Sequence, residues 1–171
     1  TTTLGHYGHV DVLVNNAGIM DGFAPLLDMD EALLSRVMGV NLEGALWASR
    51  AALRAMLERG RGVIVNIADL AAYETWPAYV PHGITKAGVV QMTRGLARAL
   101  APAIRVNAVA PGAVLLPDEW NAGTADRLAG TTPLQRLGSA DDVAQAVVFL
   151  CEADYVTGEV IIVDGGRHIR T

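Results

Sequence analysis

Four short segments rich in β-branched residues recur along this chain, and the stretches between them are long enough to hold helices. The segments are Val10 to Val14, Val63 to Ile67, Ile104 to Val109 and Val160 to Val163. Short apolar runs of this kind are typical of strands buried on both faces of a parallel sheet. Because helical periodicity fills the intervals, the sequence predicts an α/β fold, a doubly wound parallel sheet with helical crossovers.

The longest periodic stretch begins at Leu42. Of the eight positions 42, 45, 46, 49, 52, 53, 56 and 57, seven are apolar and Ser49 is the exception. This spacing predicts an amphipathic helix that ends before Gly60.

Two capping signatures predict where other helices begin. Asp28 is followed three residues later by Glu31, and Ser139 is followed three residues later by Asp142. An N-cap oxygen and an acidic third residue can satisfy free amides reciprocally at a helix start. We therefore expect helices to begin just after Asp28 and just after Ser139.

The composition is that of one globular domain spanning residues 1–171. Of these residues 51% are hydrophobic, yet no apolar run approaches the ~20 residues that a membrane span needs. The formal net charge of −5 argues against nucleic acid as a partner. The single Cys151 cannot form an internal disulfide, and no His and Cys cluster has metal-ligand spacing. We expect a cytoplasmic protein with a small-molecule substrate, no membrane, no nucleic acid and no metal.

Polar and small residues gather where the predicted strands end. Asn15-Asn16-Ala17-Gly18 follows the first strand, Asp69 the second and Pro111-Gly112 the third. The carboxyl ends of parallel strands meet at one edge of a sheet, where α/β folds bind ligands. Asn41 and Lys86 lie in predicted helices that can face the same crevice. The sequence therefore predicts a ligand site at this edge.

These motifs resemble those of the short-chain dehydrogenase/reductase family over nearly the whole chain. The matching stretches are NNAG (15–18), VNLEG (40–44), GVIVNIA (62–68), ITKAG (84–88), IRVNAVAPG (104–112) and VTGEVIIVDGG (156–166). The branch they resemble most is that of the pteridine and 3-oxoacyl-acyl-carrier-protein reductases. The resemblance implies a Rossmann-type fold, hydride transfer with NADP or NAD, and homotetramers or homodimers packed through the two long helices.

The family's glycine-rich phosphate loop, G-x-x-x-G-x-G, is missing from the stretch before NNAG. In the family it precedes that motif by roughly two βαβ units, on the order of 60 residues, whereas only 14 residues precede Asn15 here. We therefore interpret the chain as the carboxyl-terminal two-thirds of a single dinucleotide-binding domain, truncated at its amino terminus. The residues that choose between NAD and NADP are absent with the loop.

Two catalytic positions depart from the family pattern. The resemblance implies that Lys86, the only lysine of the chain, binds the nicotinamide ribose and lowers the pKa of a tyrosine four residues earlier. That earlier position holds His82, and the family's serine position, thirteen residues before it, holds Asp69. Asn41 is implied to hold a proton-relay water. The predicted catalytic residues are Asn41, Asp69, His82 and Lys86, with His82 and Asp69 supplying the proton.

The remaining site residues are predicted for the cofactor and the substrate. On the resemblance, Asn15, Ala17 and Gly18 line the adenine-ribose side, and Pro111, Gly112 and Val114 lie along the nicotinamide, with Lys86 on the ribose. Asp69, Tyr73 and Tyr79 are predicted to contact substrate. Tyr79 also has an alternative reading, because Tyr-x6-Lys resembles the enoyl-acyl-carrier-protein reductases, in which that tyrosine faces the substrate.

The leading functional hypothesis is an NAD(P)(H)-dependent oxidoreductase that reduces a C=O or C=N bond of a small molecule of pteridine or 3-oxoacyl type. Loss of the tyrosine favours a different class, a catalytically impaired dinucleotide-binding partner or sensor subunit. An enoyl-reductase-like enzyme that uses Tyr79 is the third reading.

Overall fold

A four-stranded parallel sheet forms the centre of the molecule. The computed structural model describes residues 2–20, 26–114 and 122–169. In these residues the strands are β1 (Val12–Asn15), β2 (Gly62–Ile67), β3 (Ile104–Pro111) and β4 (Val160–Val163), and they lie side by side in chain order. All three pairings are parallel. The predicted α/β sheet is confirmed, although β1 begins two residues later than expected and β3 runs on to Pro111.

In the described part of the chain, six α-helices connect and flank the strands. They are α1 (Thr2–Tyr7), α2 (Glu31–Met38), α3 (Gly44–Glu58), α4 (Val80–Leu100), α5 (Ala122–Gly130) and α6 (Ala140–Glu152). A π-helical turn (Gly39–Glu43) joins α2 to α3, and single 3₁₀ turns lie at Leu26–Asp28, Leu70–Ala72, Pro77–Tyr79 and Arg167–Ile169. No helix of the described residues is both long and apolar enough to cross a membrane.

Helices cover both faces of the sheet. On one face Met56 of α3 and Ala97 of α4 pack against Ile64, Ile104 and Val106. On the other face Leu150 of α6 packs against Val65 and Val109. Because side chains alternate along a strand, neighbouring residues of β2 enter opposite cores. This arrangement explains why β2 and β3 are apolar on both faces, and it confirms the doubly wound, Rossmann-type architecture.

The two capping signatures have different outcomes. The carboxylate of Asp30, not that of Asp28, accepts from the amide of Ala32 and begins α2, so the predicted start was wrong by two residues. Asp28 instead lies in a 3₁₀ turn. Ser139 does begin α6, with its hydroxyl accepting from the amide of Asp142 and the Asp142 carboxylate accepting from the amide of Ser139.

We predict that Ser139→Ala lowers the free energy of unfolding by about 1 kcal/mol, since it removes an N-cap acceptor. Urea titration followed by circular dichroism measures the change. Ser35→Ala, an exposed substitution inside α2, is the matched control and should cost nothing. Equal effects of the two changes would contradict the capping role.

The same cap predicts a dependence of stability on pH. Hydrogen bonds from Arg136 and Ser139 hold the pKa of Asp142 well below its usual range. A depressed carboxyl pKa contributes stability above the unfolded value, about 4, and that stability is lost as the pH falls through the folded value. The effect of Asp142→Asn on unfolding should therefore be seen at pH 7 and should shrink in acid.

Candidate active site

The ends of the strands bring most of the predicted residues to one edge of the sheet. β1 ends at Asn15 and β2 at Ile67, and Ala68 and Asp69 follow directly. α3 and α4 lie across the same face and carry polar side chains inward. Among them, His82, Thr85 and Lys86 of α4 are each no more than 6% exposed.

Asn41 ties the segment after β1 to the helices. It is 2% exposed, and its amide makes two bonds to the backbone of Ile19. Oδ1 accepts from the amide of Ile19 at 2.7 Å, and Nδ2 donates to its carbonyl at 2.8 Å. Nδ2 also lies 3.3 Å from Oγ1 of Thr85. Asn41 stands in the π-helical turn, an irregularity often found at functional sites, and it thereby fixes the backbone just beyond the NNAG motif.

Lys86 places a buried ammonium group beside that backbone. Its Nζ donates to the carbonyl of Ile67 at 2.9 Å. A Cβ built on Gly18 would lie 3.5 Å from both Lys86 Nζ and Asn41 Oδ1, so Gly18 lies directly beside both groups. Burial lowers the pKa of Lys86, and the charge of Asp69 opposes that shift.

His82 and Asp69 are neighbours, as the sequence analysis supposed. Nε2 of His82 lies 3.6 Å from Oδ2 of Asp69, and the histidine is 5% exposed. This nitrogen has no hydrogen-bond partner among the described residues. Nδ1 lies 3.3 Å from the carbonyl oxygen of Ile19 and 3.5 Å from Nδ2 of Asn41. A buried ring nitrogen without a partner, aimed at a carboxylate, is available to bond a ligand.

Asp69 is oriented by its own backbone. Oδ1 accepts from the amide of Ala71 at 2.7 Å and caps the 3₁₀ turn that follows. The side chain is 23% exposed. The second carboxylate oxygen therefore points toward His82 while the group keeps contact with solvent.

The two tyrosines lie on the segment between Asp69 and His82. Tyr73 is 45% exposed, and burial of the rest of the ring raises the pKa of its hydroxyl. Tyr79 immediately precedes α4, and its ring meets the ring of Trp76 edge to face at 6.4 Å. The fold therefore brings both tyrosines near the cluster along the chain.

Asn15 is engaged inside the protein. Its side-chain amide donates to Asn66 Oδ1 at 2.7 Å and to Ser49 Oγ at 3.0 Å. Asn66 in turn donates to Thr93 of α4 at 2.9 Å. Sequence reasoning missed this network. Two signals could have revealed it, since Ser49 interrupts an apolar helical stripe and Asn66 interrupts an apolar strand.

Gly112 has a packing reason for being glycine. A Cβ built on it would lie 2.6 Å from Cβ and 3.0 Å from Cα of Asp164, which follows β4. Although burial alone would raise the pKa of Asp164, hydrogen bonds from the backbone and ring of His168 lower it. Val114 packs nearby, with its Cγ2 3.0 Å from a Cβ built on Gly138. Pro111 lies in β3 opposite Val163.

Comparisons with known proteins place this chain in a family. Residues 1–168 match the family model described as enoyl-(acyl carrier protein) reductase. The chain is 37% identical to ketoacyl reductase 2 of the granaticin polyketide synthase from Streptomyces violaceoruber, over 98% of this chain and 70% of the relative. It is 40% identical to the L-rhamnose 1-dehydrogenase (NAD(P)+) of Azotobacter vinelandii, over 95% and 66%.

A solved structure agrees with the sequence relatives. The gluconate 5-dehydrogenase of Burkholderia cenocepacia, in complex with NADP and tartrate, superposes with a TM-score of 0.92 at 32% identity, covering 99% of this chain and 69% of that one. The chain belongs to the short-chain dehydrogenase/reductase family. Its relatives named above include an NAD(P)-dependent dehydrogenase. The family prediction is confirmed, and these relatives bear out NADP or NAD as the cofactor type.

The chain spans about two thirds of the length of the curated relatives it matches, 70% and 66% for the two named above. That it corresponds to the carboxyl-terminal two-thirds of the family domain stays a prediction.

We predict that Gly112→Ala destabilises the protein by about 1–3 kcal/mol, because the added methyl group would overlap the backbone of Asp164. Chemical unfolding measures the loss. Gly95→Ala is the matched control, since no atom lies within 4 Å of its Cβ and it stands inside α4; that change should stabilise. A neutral Gly112→Ala would show that the ends of β3 and β4 are not in contact.

Proposed function

We propose that this chain carries the active site of an NAD(P)(H)-dependent oxidoreductase that reduces a C=O or C=N bond of a small molecule. One observation carries the proposal. The buried Nε2 of His82 has no described partner and faces the Asp69 carboxylate, within a cluster that also holds Lys86 and Asn41. The proposed catalytic residues are Asn41, Asp69, His82 and Lys86.

The cofactor position is supported by the place of Gly18 directly beside Lys86 and Asn41. When bound, the nicotinamide supplies or accepts the hydride. An ammonium carries three donors, and Lys86 uses one of them on Ile67, so donors remain for a ribose hydroxyl. We assign Asn15, Ala17 and Gly18 to the adenine-ribose side; the side-chain nitrogen of Asn15 is already engaged by Asn66 and Ser49. Pro111, Gly112 and Val114 are assigned to the nicotinamide side.

The proton donor is assigned to His82. In an imidazolium both nitrogens are donors: Nδ1 can donate to the carbonyl of Ile19, and Nε2 can donate to a substrate oxygen or nitrogen. As hydride adds to the substrate carbon, the proton on Nε2 moves to that heteroatom and leaves a neutral ring. The carboxylate of Asp69 stabilises the charged ring before transfer and is open to solvent for reprotonation.

The substrate is assigned to the 3-oxoacyl or pteridine type. A polyketide ketoacyl reductase among the relatives supports the first type, while the sugar dehydrogenase among them shows that the family pattern does not fix the substrate. Asp69, Tyr73 and Tyr79 are proposed to contact substrate. We also propose a cytoplasmic homodimer or homotetramer through α3 and α4, where Trp47 and Ile84 are more than half exposed.

Two other readings remain open to test. The description of the family model supports an enoyl-reductase-like enzyme in which Tyr79 donates the proton. Histidine at the family's tyrosine position supports an impaired dinucleotide-binding subunit. An assay of NADPH and NADH oxidation against ketones, pterins and enoyl thioesters separates the three, because only the first predicts reduction of ketones or pterins.

We predict that His82→Ala lowers kcat by about 10²- to 10⁴-fold, the usual cost of losing a general acid, and that Tyr79→Phe has little effect. The rate of NADPH oxidation in the presence of the substrate measures both variants. The opposite ranking of the two variants would reject His82 as the donor.

We predict that Lys86→Met abolishes turnover and weakens NADPH binding while leaving the fold intact, because the substitution keeps the aliphatic stem and removes the ammonium donor. Calorimetric titration gives the affinity. Arg98→Met, on an exposed position of the same helix, is the control and should change neither quantity. Wild-type affinity in the Lys86 variant would remove this residue from the cofactor site.

A further inference from the structure

Arg167, near the carboxyl end of the chain, contacts a segment far from it in sequence. Its Nη2 lies 3.5 Å from Oε2 of Glu74, and its guanidinium carbon stands 6.0 Å over the ring of Trp76. The indole Nε1 of Trp76 donates to the same carboxylate oxygen at 3.0 Å. Only 14% of the Arg167 side chain and 21% of the Glu74 side chain are exposed. We call Glu74, Trp76 and Arg167 the Arg167 cluster.

Within this cluster, Arg167 contacts the middle of the segment that joins the two proposed proton-transfer residues, Asp69 and His82. This 70–79 loop starts directly after Asp69, and α4 follows it and presents His82 at its third position. The ring of Trp76 also packs edge to face against the ring of Tyr79. The two proposed proton-transfer residues, Asp69 and His82, therefore flank the loop, and Arg167 contacts its middle.

Arg167 itself emerges from a turn with little freedom to move. Asp164, at the end of β4, accepts hydrogen bonds from the amides of Gly166 and His168 and pairs with the ring of His168 at 2.8 Å. Gly165 and Gly166 take φ values of +66° and +84°, which glycine adopts without strain. The close approach of Gly112 fixes the same turn to the end of β3.

Charge and geometry suit Arg167 for this contact better than lysine. A guanidinium can stack flat on an indole and bond a carboxylate at its edge in one conformation. Because both charges are largely buried, each stabilises the other, and removal of one charge weakens the compensation of the other. The contact is thus specific for arginine, and it joins the turn after β4 to the 70–79 loop.

We propose that Arg167 is a positioning residue that holds the 70–79 loop and thereby sets how well the substrate fits beside His82 and Asp69. This inference rests on the proposed function, since it names what shapes the substrate side of that same site. It predicts an effect on substrate binding and none on the cofactor side, to which Gly18 and Lys86 are assigned.

The first test reports on the loop and needs no substrate. In a Trp47→Phe, Trp120→Phe background, Trp76 is the only fluorophore of its kind, because the chain has three tryptophans. Arg167→Met should raise acrylamide quenching of the Trp76 fluorescence. Arg167→Lys should return the quenching only part of the way to the wild-type level. Arg59→Met is the control: it breaks a more exposed ion pair, in which Nη2 of Arg59 lies 3.4 Å from Oδ1 of Asp11 before β1, and it should leave quenching unchanged.

The second test measures steady-state kinetics with the compound that the protein reduces in the assay of NADPH and NADH oxidation. Arg167→Met should raise KM for the carbonyl compound roughly tenfold, the effect of losing about one such contact, with KM for NADPH unchanged. Glu74→Gln is a milder variant that keeps the acceptor for Trp76, and it should raise the substrate KM less. It serves as the kinetic probe if Arg167→Met does not fold.

Unchanged quenching, or raised quenching with unchanged substrate KM, overturns the proposal. An equal rise in both KM values also overturns it, since that pattern indicates general damage. If the wild-type protein reduces no compound, the proposed function fails and the substrate-fit claim fails with it. Failure of the positioning claim alone is distinguished by an active wild type whose Arg167 variants behave normally.

Discussion

The packing of α4 against the ends of the strands is the constraint on which the site depends. Lys86 reaches the last carbonyl of β2, Thr93 binds Asn66 of the same strand, and His82 lies against the backbone of Ile19 beyond β1. Buried polar groups need partners, and each of these bonds is possible only in one register of helix and sheet. The same interactions that satisfy the helix therefore bring the chemical groups together.

The histidine at position 82 fits this packing physically. A tyrosine there would carry its hydroxyl beyond the ring, whereas the imidazole keeps one nitrogen near Ile19 and Asn41 and turns the other toward Asp69. Positions 69 and 82 hold a carboxylate and an imidazole that can stabilise one another's charged forms. This coupling makes the two residues parts of one arrangement.

Several features could be predicted because they depend on short-range pattern. β-branched runs gave the strands, Ser139 with Asp142 gave a helix start, and the motif spacing brought Asn41, Lys86 and Asp69 to one edge. The start of α2 was missed because Asp28 and Asp30 are both competent N-caps, and it is the carboxylate of Asp30 that accepts from the amide of Ala32. The Ser49, Asn66 and Thr93 partners of Asn15 were missed because hydrogen bonds across elements have no local spacing.

By itself the sequence determined the parallel α/β architecture and the identity of the groups at the carboxyl edge, since strand periodicity and the order of elements leave few alternatives for a chain of this kind. Only the tertiary structure decided which of those groups meet. It left Nε2 of His82 without a described partner opposite Asp69, packed Gly112 on Asp164 and carried Arg167 to Glu74 and Trp76. These contacts join residues tens of positions apart, and their distances follow from how helices and strands pack, which is a property of the whole core and not of any one segment.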